Sequence, residues 1–231
     1  MTDFSHVRQW VFDLDNTLYP AHCNLFFQID QRMAQYIEKK LTLPKQEARL
    51  LQKELYRIHG TTLSGLMKDH DVKPHDFMDF VHDIDLSNIG VNHNLRTAIS
   101  RLPGEKFIFT NGSVKHAENV AGKIGIIDLF DGVFDIQAAD YVPKPHKSTY
   151  DVFFDRFDIR HKNAAMFEDM AENLVAPHKA GLTTVLVQSE ADWVADEPAD
   201  KRPSRPGETF DHVHHTTDDL TDFLTGLKTA C

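Results

Sequence analysis

Residues 11–20 read Val11-Phe12-Asp13-Leu14-Asp15-Asn16-Thr17-Leu18-Tyr19-Pro20, and the rest of the chain is interpreted from this stretch. Its apolar start, extended backwards by Val7 and Trp10, predicts a buried strand that ends at two carboxylates. Side chains alternate along a strand, so Asp13 and Asp15 should lie on the same side. Two buried acids are costly without a cation, which favours a hard divalent ion. The alternative is a turn whose Asp, Asn and Thr side chains cap the next helix.

Length and composition limit the classes of protein that fit. A chain of 231 residues with 41% hydrophobic residues suits one large domain, or a core with a smaller domain inserted. A formal charge of −10 disfavours nucleic acid polymers and anionic membranes as partners, although a local basic pocket can still bind a small anion. Neither a secretory signal nor a membrane span is evident, so we expect a cytoplasmic protein. Cys23 and Cys231 are too few for a disulfide framework or a thiolate metal site.

The chain after the first strand divides into a helical block and an alternating region. Apolar residues recur every four positions from Leu25 to Leu41, Pro44 can begin a second helix that runs to about residue 59, and shorter helical segments follow to about residue 84. We predict an all-helical domain over 22–87, inserted into a core formed by 1–21 and 88–231.

The alternating region predicts an α/β core with a doubly wound parallel sheet. The predicted strands are 106–110, 133–135, 164–167, 183–187 and 211–214, and the predicted helices are 93–101, 114–124, 147–157, 171–180 and 218–228. The proline-rich and charged stretch 189–209 is interpreted as a surface loop without a catalytic role.

Polar residues follow several strands, where a parallel sheet binds its ligands. They are Asp13 and Asp15, the turn Thr110-Asn111-Gly112, Lys144-Pro145 and the pair Glu168-Asp169. Asp13, Asp15 and Asp169 can form an acidic cradle for Mg²⁺, while Lys144, the Thr110 hydroxyl and the backbone of the 110–112 turn can hold an anion. A metal site beside an anion site is typical of phosphoryl transfer.

These motifs, DLDNT at 13–17, TNG at 110–112, KP at 144–145 and EDMAEN at 168–173, resemble those of the haloacid dehalogenase-like hydrolases, in the phosphatase branch. The resemblance covers about 1–21 and 88–228 and implies a Rossmann-like core with a small helical cap. It implies that Asp13 is the nucleophile that forms an aspartyl-phosphate, and that Asp15 is the general acid and base. Mg²⁺ would bind Asp13, the backbone carbonyl of Asp15, and Asp169, with Glu168 holding a metal-bound water.

The segment His59-Gly60-Thr61-Thr62-Leu63-Ser64-Gly65-Leu66, together with Leu18-Tyr19-Pro20, is similar to the pyrimidine 5′-nucleotidase subgroup. This similarity implies a pyrimidine nucleoside monophosphate as the small phosphorylated substrate. It makes Tyr19, Thr61, Thr62 and Gly65 candidates for substrate specificity. A plain turn between two helices also explains residues 60–65.

Other functions and sites remain as alternatives. A phosphatase for phosphoglycolate or a sugar phosphate and a phosphomutase share these motifs, whereas a dehalogenase has no need of Asp15. A receiver domain of a signalling protein has similar acids and a Lys-Pro pair, but it is about half as long and lacks a cap. His212, His214 and His215 are expected to face solvent rather than bind a metal. Asp83 and Asp85 repeat the spacing of Asp13 and Asp15 without a preceding apolar strand, and we interpret them as part of a hinge between cap and core.

Overall fold

The computed structural model describes residues 2–190 and 202–230. Within them, six parallel strands form one sheet in the order β4-β3-β2-β5-β6-β7. The central strand is β2 (Gln9–Phe12), and it pairs with β3 (Glu105–Phe109) and β5 (Ala164–Glu168). The remaining strands are β4 (Gly132–Phe134), β6 (Thr183–Val187) and β7 (His215–Thr217). The predicted parallel sheet is confirmed.

Helices cover both faces of the sheet because β2 is apolar on both sides. Trp10 and Phe12 pack into a cluster with helices α5 (His93–Ser100), α6 (Val114–Ile124) and α9 (Leu220–Thr225). Val11 points to the opposite face, where α7 (Lys147–Arg156) and α8 (Val175–Ala180) pack. This two-sided burial explains why β2 lacks the polar alternation of a half-exposed strand.

Four helices lie between β2 and α5, and we call them the inserted helical segment. They are α1 (Leu25–Leu41), α2 (Lys45–His59), α3 (Thr62–His70) and α4 (Pro74–Val81). Their apolar faces form a cluster of their own, which includes Ile37, Leu55 and Phe77 and also Ile136 from the core. The predicted helices are therefore confirmed, and through Ile136 the segment contacts the stretch of the core that follows β4.

The end of the chain differs from the prediction. The last strand of the six-stranded sheet is His215–Thr217 rather than 211–214. Its three residues are polar, and its position is set by pairing with Val185–Val187 of β6 rather than by an apolar pattern. Helix α9 ends at Thr225. After it, β8 (Leu227–Lys228) pairs with β1 (Thr2–Asp3) in a two-stranded sheet that was not predicted from the sequence. The predicted helix at 171–180 is a 3-10 turn over Ala171–Leu174 followed by α8.

Part of the predicted surface loop at 189–209 lies outside the described residues. In the part that is described, Pro203 and Ser204 are buried, and the Ser204 amide donates a hydrogen bond to the Asp169 carbonyl at 2.9 Å. Residues 202–209 form a loop, as predicted, but these two residues are buried rather than exposed on the surface. No helix among the described residues is long and apolar enough to cross a membrane.

Candidate active site

A buried ion cluster joins three strand ends. Lys144 Nζ lies 2.7 Å from Asp13 Oδ1 and 2.6 Å from Glu168 Oε1, and it also donates to the Phe109 carbonyl at 2.8 Å. All three charged side chains are almost fully buried. Asp13 and Glu168 are separated from Lys144 by 131 and 24 positions in the chain. The three residues meet because parallel strands end at the same edge of the sheet.

The acids of this cluster outnumber its cations. Asp169 lies with Asp13 and Glu168, so among the described residues three buried carboxyl groups share one ammonium group. Burial raises the pKa of Asp13 to about 7, against the attraction of Lys144. Burial and the neighbouring Glu168 likewise raise the pKa of Asp169 well above its usual value. Burial disfavours the charged form of Lys144, but Asp13 and Glu168 outweigh it and raise its pKa. The surplus of acid is electrostatically unfavourable until further positive charge is added.

The cluster fits a hard divalent cation. One carboxylate oxygen from each of Asp13, Glu168 and Asp169 lies within 4.8 Å of the other two, which is compatible with a shared ion. Asn16 Nδ2 donates to Asp169 Oδ2 at 3.3 Å, while Asn16 Oδ1 is buried without a hydrogen-bond partner. Asp13, Asp169 and the backbone of Asp15 are the predicted ligands. Glu168 Oε1 is also bonded by Asn173 at 2.7 Å, which suits the supporting role predicted for it.

Asp15 points away from this cluster and has different partners. Tyr19 donates its hydroxyl hydrogen to Asp15 Oδ1 at 2.6 Å, and His116 Nε2 lies 2.9 Å from the same oxygen. Burial would raise the pKa of Asp15, but His116 and then Tyr19 outweigh it, so the pKa of Asp15 is lowered. His116 was not among the residues predicted from the sequence. Its only local signal was its position near the start of the helix that follows the 110–112 turn.

The 110–112 turn lies beside Lys144. The buried Thr110 hydroxyl oxygen accepts a hydrogen bond from the Gly112 amide at 2.9 Å, which leaves the hydroxyl hydrogen available to a ligand. Asn111 Oδ1 accepts a hydrogen bond from the Lys144 amide at 2.8 Å, and Asn111 Nδ2 donates to the Lys144 carbonyl at 3.2 Å. Thr110 is therefore placed to contact an anion, whereas Asn111 fixes the loop that carries Lys144.

One cavity runs from these groups to the inserted helical segment. Its wall on the core side includes Asp13, Asp15, Thr110 and Lys144. The opposite wall is apolar and aromatic with a few polar groups, and includes Phe26, Ile29, Met33, Asp30, Gln52, Lys53, Thr61, Thr62 and Phe77. Of the predicted specificity residues, Thr61 and Thr62 line this wall, and Thr62 is buried. The Thr61 hydroxyl caps α3 by accepting from the Ser64 amide at 3.1 Å.

The other two specificity candidates lie elsewhere. A Cβ atom at Gly65 would come within 2.7 Å of Leu55 Cδ2, so this glycine allows α3 to pack closely against α2 and does not line the cavity. Tyr19 is buried against Asp15 and also does not line the cavity. Neither residue lines the cavity in this structure, and a specificity role for Gly65 and Tyr19 stays a prediction. A turn sequence does not reveal which of its residues face a neighbouring helix.

The remaining sequence candidates do not reach the cavity. His212 Nε2 bonds the Ala171 carbonyl at 2.8 Å and His214 Nδ1 bonds the Thr184 hydroxyl at 2.8 Å, so these rings bind protein groups rather than only solvent. Asp83 pairs with Arg32 at 2.9 Å on the surface, and Asp85 accepts from Ser87 at 2.6 Å. Among the described residues, only Asp13, Glu168 and Asp169 form a cluster that could hold a metal ion.

Comparison with known protein families assigns the chain to one hydrolase family. A model of the haloacid dehalogenase-like hydrolases matches residues 9–181, which include all four motifs and the ion cluster. The chain belongs to this hydrolase family. It is 28% identical over 138 residues to Phosphate metabolism protein 8 of Saccharomyces cerevisiae. The match covers 54% of this chain but only 42% of that protein, so the relative is considerably longer.

Solved structures of the family share the fold of this hydrolase. YfnB of Bacillus subtilis, described as bound to magnesium, has a TM-score of 0.56 and 16% identity, over 95% of this chain and 97% of that one. CbbY of Rhodobacter sphaeroides, in complex with phosphate, has a TM-score of 0.61 and 15% identity over 96% and 97%. L-2-haloacid dehalogenase of Xanthobacter autotrophicus has a TM-score of 0.54 and 14% identity over 95% and 97%. Similarity at this level shows the fold, and the site must distinguish the chemistry.

Proposed function

We propose that this hydrolase is a magnesium-dependent phosphomonoesterase that works through an aspartyl-phosphate. The observation that carries the proposal is the joint placement of two acids with different surroundings, Asp13 beside Lys144 and Asp15 beside His116, on one cavity. A dehalogenase also uses a carboxylate nucleophile, but it has no leaving oxygen to protonate and no charged phosphoryl group to neutralise. A second carboxylate and a surplus of acid suited to a cation both favour phosphoryl transfer.

The side chains have separate roles in this reaction. Asp13 attacks phosphorus with a carboxylate oxygen, and Lys144 holds Asp13 Oδ1 from 2.7 Å. The pKa of Asp15 is lowered in the absence of substrate, and the negative charge of a bound phosphoryl group favours its protonated form. Asp15 then gives this proton to the oxygen of the leaving alcohol as the bond from phosphorus to that oxygen breaks. The resulting carboxylate then accepts a proton from the water that attacks the aspartyl-phosphate, which releases inorganic phosphate and restores both acids. Thr110 contributes its hydroxyl hydrogen to a phosphoryl oxygen.

The metal ion belongs to the same proposal. Asp13, Asp169 and the backbone carbonyl of Asp15 would hold Mg²⁺, with Glu168 supporting the site from behind. The ion would supply positive charge that favours the ionised form of Asp13 and offsets the negative charge of the phosphoryl group. Support comes from the raised pKa of Asp13 and from the family member that is described as bound to magnesium.

We further propose a pyrimidine nucleoside 5′-monophosphate as substrate, with the inserted helical segment as a cap over it. The groups that the core brings to the cavity would contact only the phosphate and the metal, so the helical wall must distinguish one leaving group from another. Phe26 and Phe77 offer aromatic surface against which a base can pack, and Thr62 offers a hydroxyl group to a base edge. The similarity of residues 59–66 to pyrimidine nucleotidases supports this choice. Phosphoglycolate and sugar phosphates are the alternative substrates, because a smaller polar leaving group also fits.

A substrate panel tests both levels of the proposal. Release of inorganic phosphate from p-nitrophenyl phosphate over many turnovers should require Mg²⁺ and stop on chelation. A phosphomutase would instead transfer the group to a second phosphorylated metabolite. The value of kcat/KM for uridine and cytidine monophosphates should exceed that for the purine monophosphates by at least about tenfold. Equal values for all four, or preference for phosphoglycolate or a sugar phosphate, would discard the nucleotidase and keep the phosphatase.

Thr62→Val sharpens the substrate test. A hydroxyl group that bonds a base edge contributes about 1–3 kcal/mol to the discrimination between bases, which corresponds to roughly 5- to 150-fold in kcat/KM. Thr62→Val should therefore lower the ratio of kcat/KM for pyrimidine over purine monophosphates by a factor no larger than this range. Turnover of p-nitrophenyl phosphate should change little, because its ring carries none of the groups that distinguish the bases. Thr97→Val, which removes a hydroxyl on the exposed side of α5, is the matched control. An unchanged preference in Thr62→Val would remove Thr62 from the recognition surface.

A further inference from the structure

The carboxylate of Asp15 is held on one side only. Both of its side-chain hydrogen bonds, from Tyr19 at 2.6 Å and from His116 at 2.9 Å, go to Oδ1. Among the described residues, no hydrogen bond is made to Oδ2. Asp15 lines the cavity, whereas Tyr19 and His116 do not. The asymmetry therefore separates an anchored oxygen from an oxygen that is available to a ligand.

The two groups that hold Oδ1 come from different parts of the fold. Tyr19 lies four residues after Asp15, in the turn that leaves β2, and is 3% exposed. His116 lies in the first turn of α6, is 1% exposed, and is 101 residues away in the chain. Ser113 caps this helix by accepting from the His116 amide at 3.2 Å. Because both side chains are packed, the position of Oδ1 is fixed from two directions.

His82, the residue directly after α4, lines the cavity and stacks on the His116 ring. The two imidazoles are stacked with centroids 4.3 Å apart and planes within 9° of each other. His82 Nδ1 also lies 3.0 Å from the Ser113 hydroxyl. Burial, followed by the proximity of His116, lowers the pKa of His82 to about 3, so this ring is neutral near neutral pH. The inserted helical segment therefore reaches the acid of the core through one packed pair of rings.

We infer that Tyr19 and His116 are positioning residues that hold Asp15 Oδ1 so that Oδ2 carries the transferred proton, with His82 fixing the plane of the His116 ring. This inference rests on the proposed function. Oδ2–H gives its proton to the leaving oxygen as the bond from that oxygen to phosphorus breaks, and the pair of electrons of that bond stays on the oxygen. The carboxylate that remains is stabilised by the two donors already bonded to Oδ1. No reorganisation is then needed at the moment of proton transfer.

The leaving group provides a readout that a merely structural role would not change. The value of kcat/KM reports the steps up to the first irreversible one, which here is transfer of the phosphoryl group to Asp13. An alkyl leaving group needs the proton of Asp15, whereas p-nitrophenolate leaves almost unaided. We therefore compare p-nitrophenyl phosphate with the alkyl phosphomonoester that the wild-type protein hydrolyses best. Both substrates are measured on one preparation, so any inactive fraction cancels in the ratio.

In Tyr19→Phe and in His116→Leu, kcat/KM for the alkyl ester should fall at least about tenfold more than kcat/KM for p-nitrophenyl phosphate. His116→Gln keeps an N–H donor at a similar reach and should restore most of the ratio. His82→Ala should shift the ratio in the same direction by a smaller factor. His75 lies in α4, the helix that precedes His82, and its side chain is 82% exposed. His75→Ala should leave kcat/KM unchanged for both substrates.

Each other outcome has a distinct meaning. If the variants are folded and both substrates lose the same factor, or neither loses any, the positioning role is overturned while the phosphatase stands. If His116→Leu does not fold, Tyr19→Phe and His116→Gln still decide the question by the same ratio. If the wild-type protein with Mg²⁺ hydrolyses neither ester, the proposed function itself has failed.

Discussion

Two of the three Asp-x-Asp sequences in the chain, Asp13-Leu14-Asp15 and Asp83-Ile84-Asp85, have opposite surroundings. Asp13 is 7% exposed at the end of a buried strand and faces Lys144. The Asp83 side chain is 82% exposed and pairs with Arg32 on the surface. Asp85 accepts hydrogen bonds from the side chain and amide of Ser87, which lower its pKa, whereas burial raises the pKa of Asp13 to about 7.

The difference shows that spacing alone does not produce a reactive site. Water solvates the exposed pair, and its charges cost little to maintain. The first pair is deprived of water by the sheet and its helices, so each carboxylate must be matched by a specific partner. Burial at a strand end therefore distinguishes a reactive pair of acids from an exposed pair with the same spacing. Matched substitutions in the two pairs therefore provide direct tests.

The largest expected effect is that of Asp13→Asn, which keeps the shape of the side chain but removes the nucleophile. Phosphate release should fall at least about 10³-fold, which corresponds to about 4 kcal/mol of barrier. Asp83→Asn should leave the rate unchanged. Initial rates with p-nitrophenyl phosphate and saturating Mg²⁺ measure both, and thermal unfolding confirms the fold. Retention of more than about a tenth of the activity in Asp13→Asn would exclude this residue as the nucleophile.

A somewhat smaller effect is expected for Asp15→Asn, with Asp85→Asn as its control. Loss of the general acid and base costs about 10²- to 10⁴-fold. A substrate with a good leaving group should still phosphorylate Asp13, and the phosphoryl-enzyme should accumulate because the attacking water is no longer activated. Quenched protein can be analysed by mass spectrometry for the added phosphoryl group. Near-normal turnover in Asp15→Asn would contradict the assigned role.

The smallest expected effect concerns stability, and it follows from the raised pKa of Asp13. Its folded-state pKa of about 7 lies above the usual value of 3.8, so without metal its stabilising contribution is complete below about pH 4 and is lost as the pH rises through about 7. Mg²⁺ binds the ionised acids, so its stabilisation should increase over the same range. The rise in melting temperature on adding Mg²⁺ should be greater at about pH 8 than at about pH 5, by a few degrees.

The exposed pair again serves as the control for this measurement. Asp83→Asn should show the same pH dependence as the wild-type protein, because its side chain is solvated in both states. Asp13→Asn should show a smaller magnesium effect with a weaker dependence on pH. An equal rise in melting temperature at both pH values would argue against ion binding at the buried acids.

The order of elements and the strand-end motifs could be predicted from the sequence because they depend on local periodicity. An apolar run followed by Asp13 and Asp15 identifies a buried strand with acids at its end, and the helical period from Leu25 to Leu41 identifies α1. Parallel strands end at a common edge, so the meeting of Lys144 with Asp13 also follows from the topology. Edge elements such as β7 were misplaced, because their few polar residues carry no apolar pattern.

By itself, the sequence determined the α/β class, the inserted helices and the acids beyond β2, since each follows from the chemistry of neighbouring residues. Only the tertiary structure decided that His116 and Tyr19 share Asp15 Oδ1, that His82 stacks on His116, and that Gly65 is a packing residue. These contacts depend on which faces of separate elements are pressed together. Distances of a few ångströms between residues far apart in the chain arise from packing, and packing is a property of the whole fold.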